Sequence, residues 1–236
     1  MKKYSKKIKQ IKSKFGKFNS TEIENVMNVL DSNTNIDYVK KLEKLFCRVF
    51  KVKYSIACNS GTSGLHSALA SLDLKKNDEV IVPGLTVVMD AYAAIHAGAK
   101  PVFADVDEET YLITAENIKK KITKKTKALI IVHIYGLVCN LSEISKLVKK
   151  KKLFLIEDCA EALGSKYGKK YIGNHGDCST FSFYPNKTIT TGEGGMAVFK
   201  SKKAFNRSLI LRNQGREISD IFFIHQERGF NYRMSN

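Results

Sequence analysis

The 236-residue chain has no tryptophan and only three prolines, which excludes collagen-like and proline-rich material. No apolar run approaches the roughly 18 residues of a membrane span. The lysine-rich start is not followed by the apolar stretch of a secretory signal. The expectation from these absences is a soluble, cytoplasmic protein with no membrane partner. Cysteine is sparse: Cys47, Cys58, Cys139, Cys159 and Cys178 are odd in number, widely spaced and never arranged as C-x-x-C. Neither a disulfide framework nor a metal site is indicated, and the residues read as small buried side chains in a reducing compartment. Acidic residues are missing from the first 17 positions, which hold eight lysines, and without them the net charge of +17 falls to +9. The remaining excess sits in lysine runs such as Lys119–Lys121 and Lys149–Lys152 that flank predicted helices. No aromatic-interleaved basic stretch is present, so the charge reads as solvated surface and argues against a nucleic-acid partner.

What is present suits a globular domain, with 43% hydrophobic and 27% charged residues. A basic arm, residues 1–19, precedes a predicted helix over Thr21–Leu30 with Ser20 as N-cap, and a second helix is predicted over Tyr38–Phe50. From Tyr54 onward, short runs rich in β-branched residues (YSIAC, EVIVP, PVFADV, ALIIVHIY, LFLIED, STFSF, GMAVF) recur. Helical stretches at Thr62–Leu72, Thr86–His96, Ala115–Lys121 and Leu141–Lys150 separate the first five. This alternation predicts a three-layer α/β/α fold around a mostly parallel central sheet. STFSF and GMAVF have no helix between them, which predicts an antiparallel or irregular addition to that sheet.

Ligands of such sheets bind beyond the carboxyl ends of the strands, and three loops there carry chemistry. Asn59-Ser60-Gly61-Thr62-Ser63-Gly64 follows the first strand and opens a helix, a place where backbone N–H groups and hydroxyls can meet a phosphate. It matches neither G-x-G-x-x-G nor the P-loop pattern, and alone it is as readily a capped glycine turn. LFLIED ends in Glu157 and Asp158, with Glu161 three residues on. A carboxylate there needs a cationic partner such as a protonated pyridine nitrogen, although a helix cap or surface ion pair explains it equally. After STFSF comes Tyr184-Pro185-Asn186-Lys187 and a hydroxyl- and glycine-rich loop. An amine held among apolar walls could attack a carbonyl, or be one more surface lysine. Together, a phosphate turn, a strand-end carboxylate and a loop lysine are the parts of a pyridoxal phosphate site.

The stretches NSGTSGLHSALASL, EVIVPGLTVV, AGAKPVFADVDEET, LIEDCAEALGSKYGKKYIGNHGD and FSFYPNKTITTGEGGMAVF, in that order, resemble the DegT/StrS-type sugar-nucleotide aminotransferases from about Val26 to the last residue. DCAEA and NKTITTGEGGM are most similar to the perosamine-forming branch. The resemblance implies the fold of aspartate aminotransferase, a homodimer, pyridoxal 5'-phosphate as cofactor and glutamate as amino donor. The implied substrate is a nucleotide-diphosphate keto sugar, a 4-keto-6-deoxy sugar aminated at carbon 4. Carried over by motif, Lys187 would link to the cofactor aldehyde and shuttle the proton, and Asp158 would pair with the pyridinium nitrogen. Glu161 would lie near the phenolic oxygen. Gly61, Thr62, Ser63 and Ser182 would hold the phosphate, and Asn231 would reach the phosphate of the neighbouring subunit. A related dehydratase branch has histidine in place of the lysine, so Lys187 implies transamination.

Some positions depart from the family pattern. Val87 stands where an aromatic usually covers the cofactor ring, Met89 and Asp90 replace small or hydroxyl residues, and Asp37 replaces a typical glycine. The chain stops at Asn236, before the C-terminal small domain of the family. The expected organisation is therefore the arm, 1–19, and a cofactor-binding large domain, 20–236. A truncated, non-catalytic remnant that dimerises or regulates a full-length paralogue is the alternative to an aminotransferase.

Overall fold

The computed structural model describes residues 18–31, 36–217 and 224–236. Most of the expected basic arm, residues 1–17, lies outside them. The described residues before Asp37 belong to one compact unit, and residues 37–236 form another. In the first unit, α1 (Ser20–Leu30) is capped by Asn19 rather than by Ser20. The Asn19 side chain accepts the Glu22 N–H while Glu22 accepts the Asn19 N–H, a reciprocal capping box that Ser20 would be one residue too late to close.

In the second unit, the departure at Asp37 finds a local reason: its carboxylate accepts the Lys40 N–H at 2.7 Å and starts α2 (Tyr38–Phe50). There follow β1 (Tyr54–Cys58), α3 (Gly61–Ala70), β2 (Glu79–Pro83), α4 (Met89–His96), β3 (Lys100–Ala104), α5 (Ala115–Lys121), β4 (Thr126–Val132), α6 (Leu141–Lys151) and β5 (Phe154–Asp158). A two-residue pair, β6 (Lys166–Tyr167) and β7 (Lys170–Tyr171), leads to β8 (Cys178–Ser182), β9 (Gly195–Phe199) and α7 (Lys202–Arg212). Neither the β6–β7 pair nor α7 is expected from sequence. Strands of two residues carry no periodicity. Helix α7 buries Ala204, Ser208 and Leu211, a stripe too small and too polar to stand out.

The sheet order is β1-β9-β8-β5-β4-β2-β3. Every neighbouring pair is parallel except the two that involve β9, which runs antiparallel to both β1 and β8. The expected antiparallel addition is thus inserted inside the sheet. Strand alternation feeds two apolar layers. Ala57, Ile81, Leu129, Ile131, Leu155 and Phe181 face α2, α5 and α6. Ile56, Val80, Val82, Ile130, Ile156 and Ala197 face α3, α4 and α7. The result is the expected three-layer α/β/α fold. Among the described residues, no helix is long and apolar enough to cross a membrane. All five cysteines are free, and burial pushes the Cys58 and Cys139 thiols up to about 12.

Glu157 organises the first layer. Fully buried, it accepts the N–H groups of Gly173 (3.0 Å), His175 (2.8 Å) and Gly176 (2.6 Å), and His133 Nε2 lies 3.2 Å away. The Cys139 N–H points at His133 Nδ1, which leaves Nε2 to donate to the carboxylate. His133, Glu157 and Cys159 are near enough to suggest metal ligands. Their polar atoms are already spent on these bonds and on the contact from Cys159 Sγ to the Glu157 carbonyl. Burial raises the Glu157 carboxyl, but the hydrogen bond from His133 and those from the backbone outweigh it, and the group is held below its ordinary value. On the opposite edge, Arg212 reaches from α7 to the Glu43 carboxylate and the Ala57 carbonyl, both at 2.8 Å, and ties α2, β1 and α7 together.

Substitution of Glu157 tests this packing. Glu157→Gln places an N–H₂ among donors and is expected to lower the unfolding free energy in urea by about 2–4 kcal/mol at pH 7. Because the folded carboxyl is held low, its contribution is present above the unfolded value of about 4.3 and is lost as pH falls through the folded value. The gap between wild type and Glu157→Gln should therefore close in acid. Gly195→Ala tests the close approach between β9 and the turn before α3. A Cβ there would lie 2.5 Å from Gly61 N and from Ser60 C and O, so a loss of about 1–3 kcal/mol is expected in the same assay.

Candidate active site

Strand direction brings the carboxyl ends of β1, β4, β5 and β8 to one edge, together with the amino end of β9. The register sets Gly195 opposite both Cys58 and Ser182. With no side chain at Gly195, the Ser60–Gly61 backbone settles against it. A Cβ on Gly61 would lie 3.0 Å from the Ser182 Cβ, so the first turn of α3 packs directly on the end of β8. The cleft formed here, about 660 Å³, is lined by Ser60, Gly61, Thr62, Asp158, Glu161, Ser182 and Lys187, and by apolar groups including Leu65, Leu85, Val87, Met89 and Ile134.

The α3 side of the cleft gathers groups that can donate to an anion. Ser60 is the N-cap, its hydroxyl accepting the Ser63 N–H at 3.1 Å. The N–H groups of Gly61 and Thr62 have no carbonyl one turn back to bond. They stand at the positive end of the helix, beside the hydroxyls of Ser60, Thr62 and Ser182. Ser63 does not line the cleft: its hydroxyl donates to Asn59 Oδ1 at 2.6 Å and stabilises the turn from behind. Asn231 does not line it either. It pairs with Asn213 in an isolated bridge, and its carbonyl accepts the Asn59 side-chain N–H at 3.2 Å, so the chain end braces the same turn.

Asp158 is buried on the opposite face of β5 from Glu157, toward α3 and α4. One oxygen accepts the Ala160 N–H at 2.8 Å. Burial raises its carboxyl above the ordinary value, opposed by that N–H, by Asp90 and by the charge of Lys187. Lys187 lies in the loop between β8 and β9. This loop is closed by bonds between Phe183 and Gly194 and between Thr191 and Phe183, and the Lys187 N–H itself donates to the Tyr184 carbonyl at 2.9 Å. The Lys187 ammonium is 3.4 Å from Glu161 Oε1, with 17% of the lysine side chain exposed. The second Glu161 oxygen accepts the Tyr135 N–H at 2.8 Å, and Tyr135 is held at φ 54° at the cleft wall. A non-glycine residue at positive φ is strained unless its surroundings hold it. Glu161 thus fixes both the lysine and this turn.

Sequence reasoning did not single out Ser60, Tyr135, Asn186 or Glu193, all of which line the cleft. Ser60 was legible as a helix cap in NSGTSG; the other three lie in irregular loops whose path carries no periodic signal.

The geometry agrees with known proteins. The model of the DegT/DnrJ/EryC1/StrS aminotransferase family matches residues 17–236. The chain is 45% identical over 218 residues to GDP-perosamine synthase of Escherichia coli O157:H7, covering 91% of this chain and 60% of that protein. An aminotransferase structure from Psychrobacter cryohalolentis superposes with a TM-score of 0.87 at 33% identity over 94% of this chain and 60% of its own. NtdA of Bacillus subtilis with bound cofactor PMP gives 0.83 at 27% identity, over 92% of this chain and 51% of its own. The chain thus spans about 60% of the length of the first two and about half of the third. It belongs to the DegT/DnrJ/EryC1/StrS aminotransferase family.

Proposed function

We propose that the unit of residues 37–236 is a pyridoxal 5'-phosphate-binding large domain and that it serves a sugar-nucleotide aminotransferase. The observation that carries this reading is the convergence of Lys187, Asp158 and the start of α3 on one cleft. The donor set fits the cofactor: hydroxyls and N–H groups for a phosphate, a buried carboxylate for a ring N–H, and an amine for an aldehyde. When bound, pyridoxal phosphate supplies a carbonyl that amines can attack and a ring that takes up the electrons of a broken C–H bond.

The chain's own residues divide the remaining work. Gly61, Thr62, Ser60 and Ser182 bind and orient the phosphate. Asp158 would accept the ring N–H and so favour the charged ring. Lys187 Nζ is the amine that would hold the cofactor through its aldehyde, and as the amine in the cleft it is the group that would take up and return a proton there. Glu161 is positioned to fix the Lys187 amine and the phenolic oxygen. Leu65 and Ile134, both buried, form the apolar wall that would keep water from the reacting atoms. Val87 covers less of a ring than an aromatic would, so binding leans more heavily on the phosphate and on Asp158.

The substrate reading follows the perosamine-forming relatives: a nucleotide-diphosphate-linked 4-keto-6-deoxy sugar is converted to the 4-amino sugar, with glutamate as donor. Exposed Val88, Tyr92 and Ile95 along one side of α4 are consistent with a homodimer, in which Asn231 would serve the partner's phosphate. The cytoplasm is the expected compartment.

Intact mass after incubation with pyridoxal phosphate and borohydride reduction tests the reading. The wild type should gain one phosphopyridoxyl group and Lys187→Ala none. No adduct on the wild type, or equal adducts on both, would overturn it.

A further inference from the structure

Asp90, on α4, is completely buried beside the cleft, where an ionised carboxylate is costly unless a cation meets it. Its Oδ2 accepts the Thr86 hydroxyl at 2.6 Å. Its Oδ1 is buried without a hydrogen-bond partner among the described residues, and the Asp90 side chain lies against the Asp158 carboxyl. Two carboxyl groups can bond each other only when one of them carries a proton. The titratable groups nearest the pair are Lys187, from the loop after β8, and the His133 imidazole, which is engaged by Glu157 and the Cys139 N–H; the positive charge that acts on Asp158 is that of Lys187. Among the described residues, the polar side chains that act on Asp90 are those of Thr86 and Asp158. The proton therefore sits on Asp90, the acid that no cation serves.

We infer that Asp90 is a positioning residue: protonated, it donates to Asp158, fixes the orientation of the carboxylate that faces the cleft, and keeps the two acids at a single negative charge. Burial and the neighbouring charge of Asp158 hold Asp90 well above the ordinary carboxylate range, so the arrangement persists at neutral pH. Its consequence for the cofactor rests on the pyridoxal phosphate reading. A carboxylate that already accepts an O–H is aimed at the ring nitrogen but attracts the ring proton less than a lone aspartate would.

The pair can be tested without cofactor. The unfolded chain ionises Asp90 above about pH 4, whereas the folded chain keeps the proton. This residue's share of stability therefore falls as pH rises from there toward the folded value. The amide introduced by Asp90→Asn can accept from Thr86 through its oxygen and donate to Asp158 through its nitrogen, with no proton to lose. In thermal unfolding of the full chain from about pH 5 to about pH 8, the Tm advantage of Asp90→Asn over wild type should widen by about 3 °C or more. In an Asp158→Asn background, which removes the like charge, the same change should widen it less. Parallel profiles would overturn the shared proton. Titration with pyridoxal phosphate at pH 7 tests positioning: Asp90→Asn should bind within about twofold of wild type and Asp90→Leu about tenfold more weakly. Equal weakening in both variants would overturn the positioning role. If wild type takes up no pyridoxal phosphate, the functional reading fails, while the unfolding profiles still decide the carboxyl pair.

Discussion

Consecutive residues of a strand point to opposite faces of a sheet, and β5 ends in two carboxylates, Glu157 and Asp158, that this alternation buries in different layers. Each must be compensated where it lands, and the two solutions divide the protein into scaffold and site. Glu157 is saturated by three backbone N–H groups and His133, which fixes the 173–176 turn under the sheet and leaves no capacity for a ligand. Asp158 takes one backbone N–H and the Asp90 carboxyl and retains an acceptor toward the cleft. An incompletely compensated buried charge is costly for a stable fold, and in a cleft it is a binding site for a cationic group.

The second constraint is the insertion of β9. Running antiparallel between two strands that share the direction of the rest, it presents its amino end where its neighbours present their carboxyl ends. The loop from β8 to β9 therefore begins and ends at the cleft edge and can hold Lys187 over it without a helix to carry the chain away. Gly195 completes the arrangement, because only its missing side chain lets the anion-binding turn of α3 close against Ser182. Parallel strands supply the acid and the phosphate turn, and the one antiparallel strand supplies the amine.

Much of this was legible in the sequence because its signals are local. YSIAC, EVIVP and GMAVF lie on the observed strands, α2 and α5 run as expected, and NSGTSG reads as a helix start wherever the chain is folded. Lys187, Asp158, Glu161, Gly61, Thr62 and Ser182 meet in one cleft, but composition alone left each with an ordinary explanation, and their order along the chain joined them. The rest depends on distant contacts. Ser63 turns away because Asn59 lies behind it, and the capping box on Asn19 outcompetes Ser20. The β6–β7 pair is too short for any periodicity. Asp90 stood out only as a departure from the family pattern; its role came from burial against Asp158, which no sequence pattern encodes.

In the cleft, a helix start, a buried carboxylate and an amine face the same space, and the proposal is that they share one ligand. A crystal structure of the chain grown with pyridoxal 5'-phosphate tests that convergence most directly. The expected result is the phosphate against the Gly61 and Thr62 N–H groups and Ser182, the ring nitrogen at Asp158 and the carbonyl carbon bonded to Lys187 Nζ. A cofactor bound to another lysine, or a ring in this cleft with its nitrogen turned from Asp158, would contradict it.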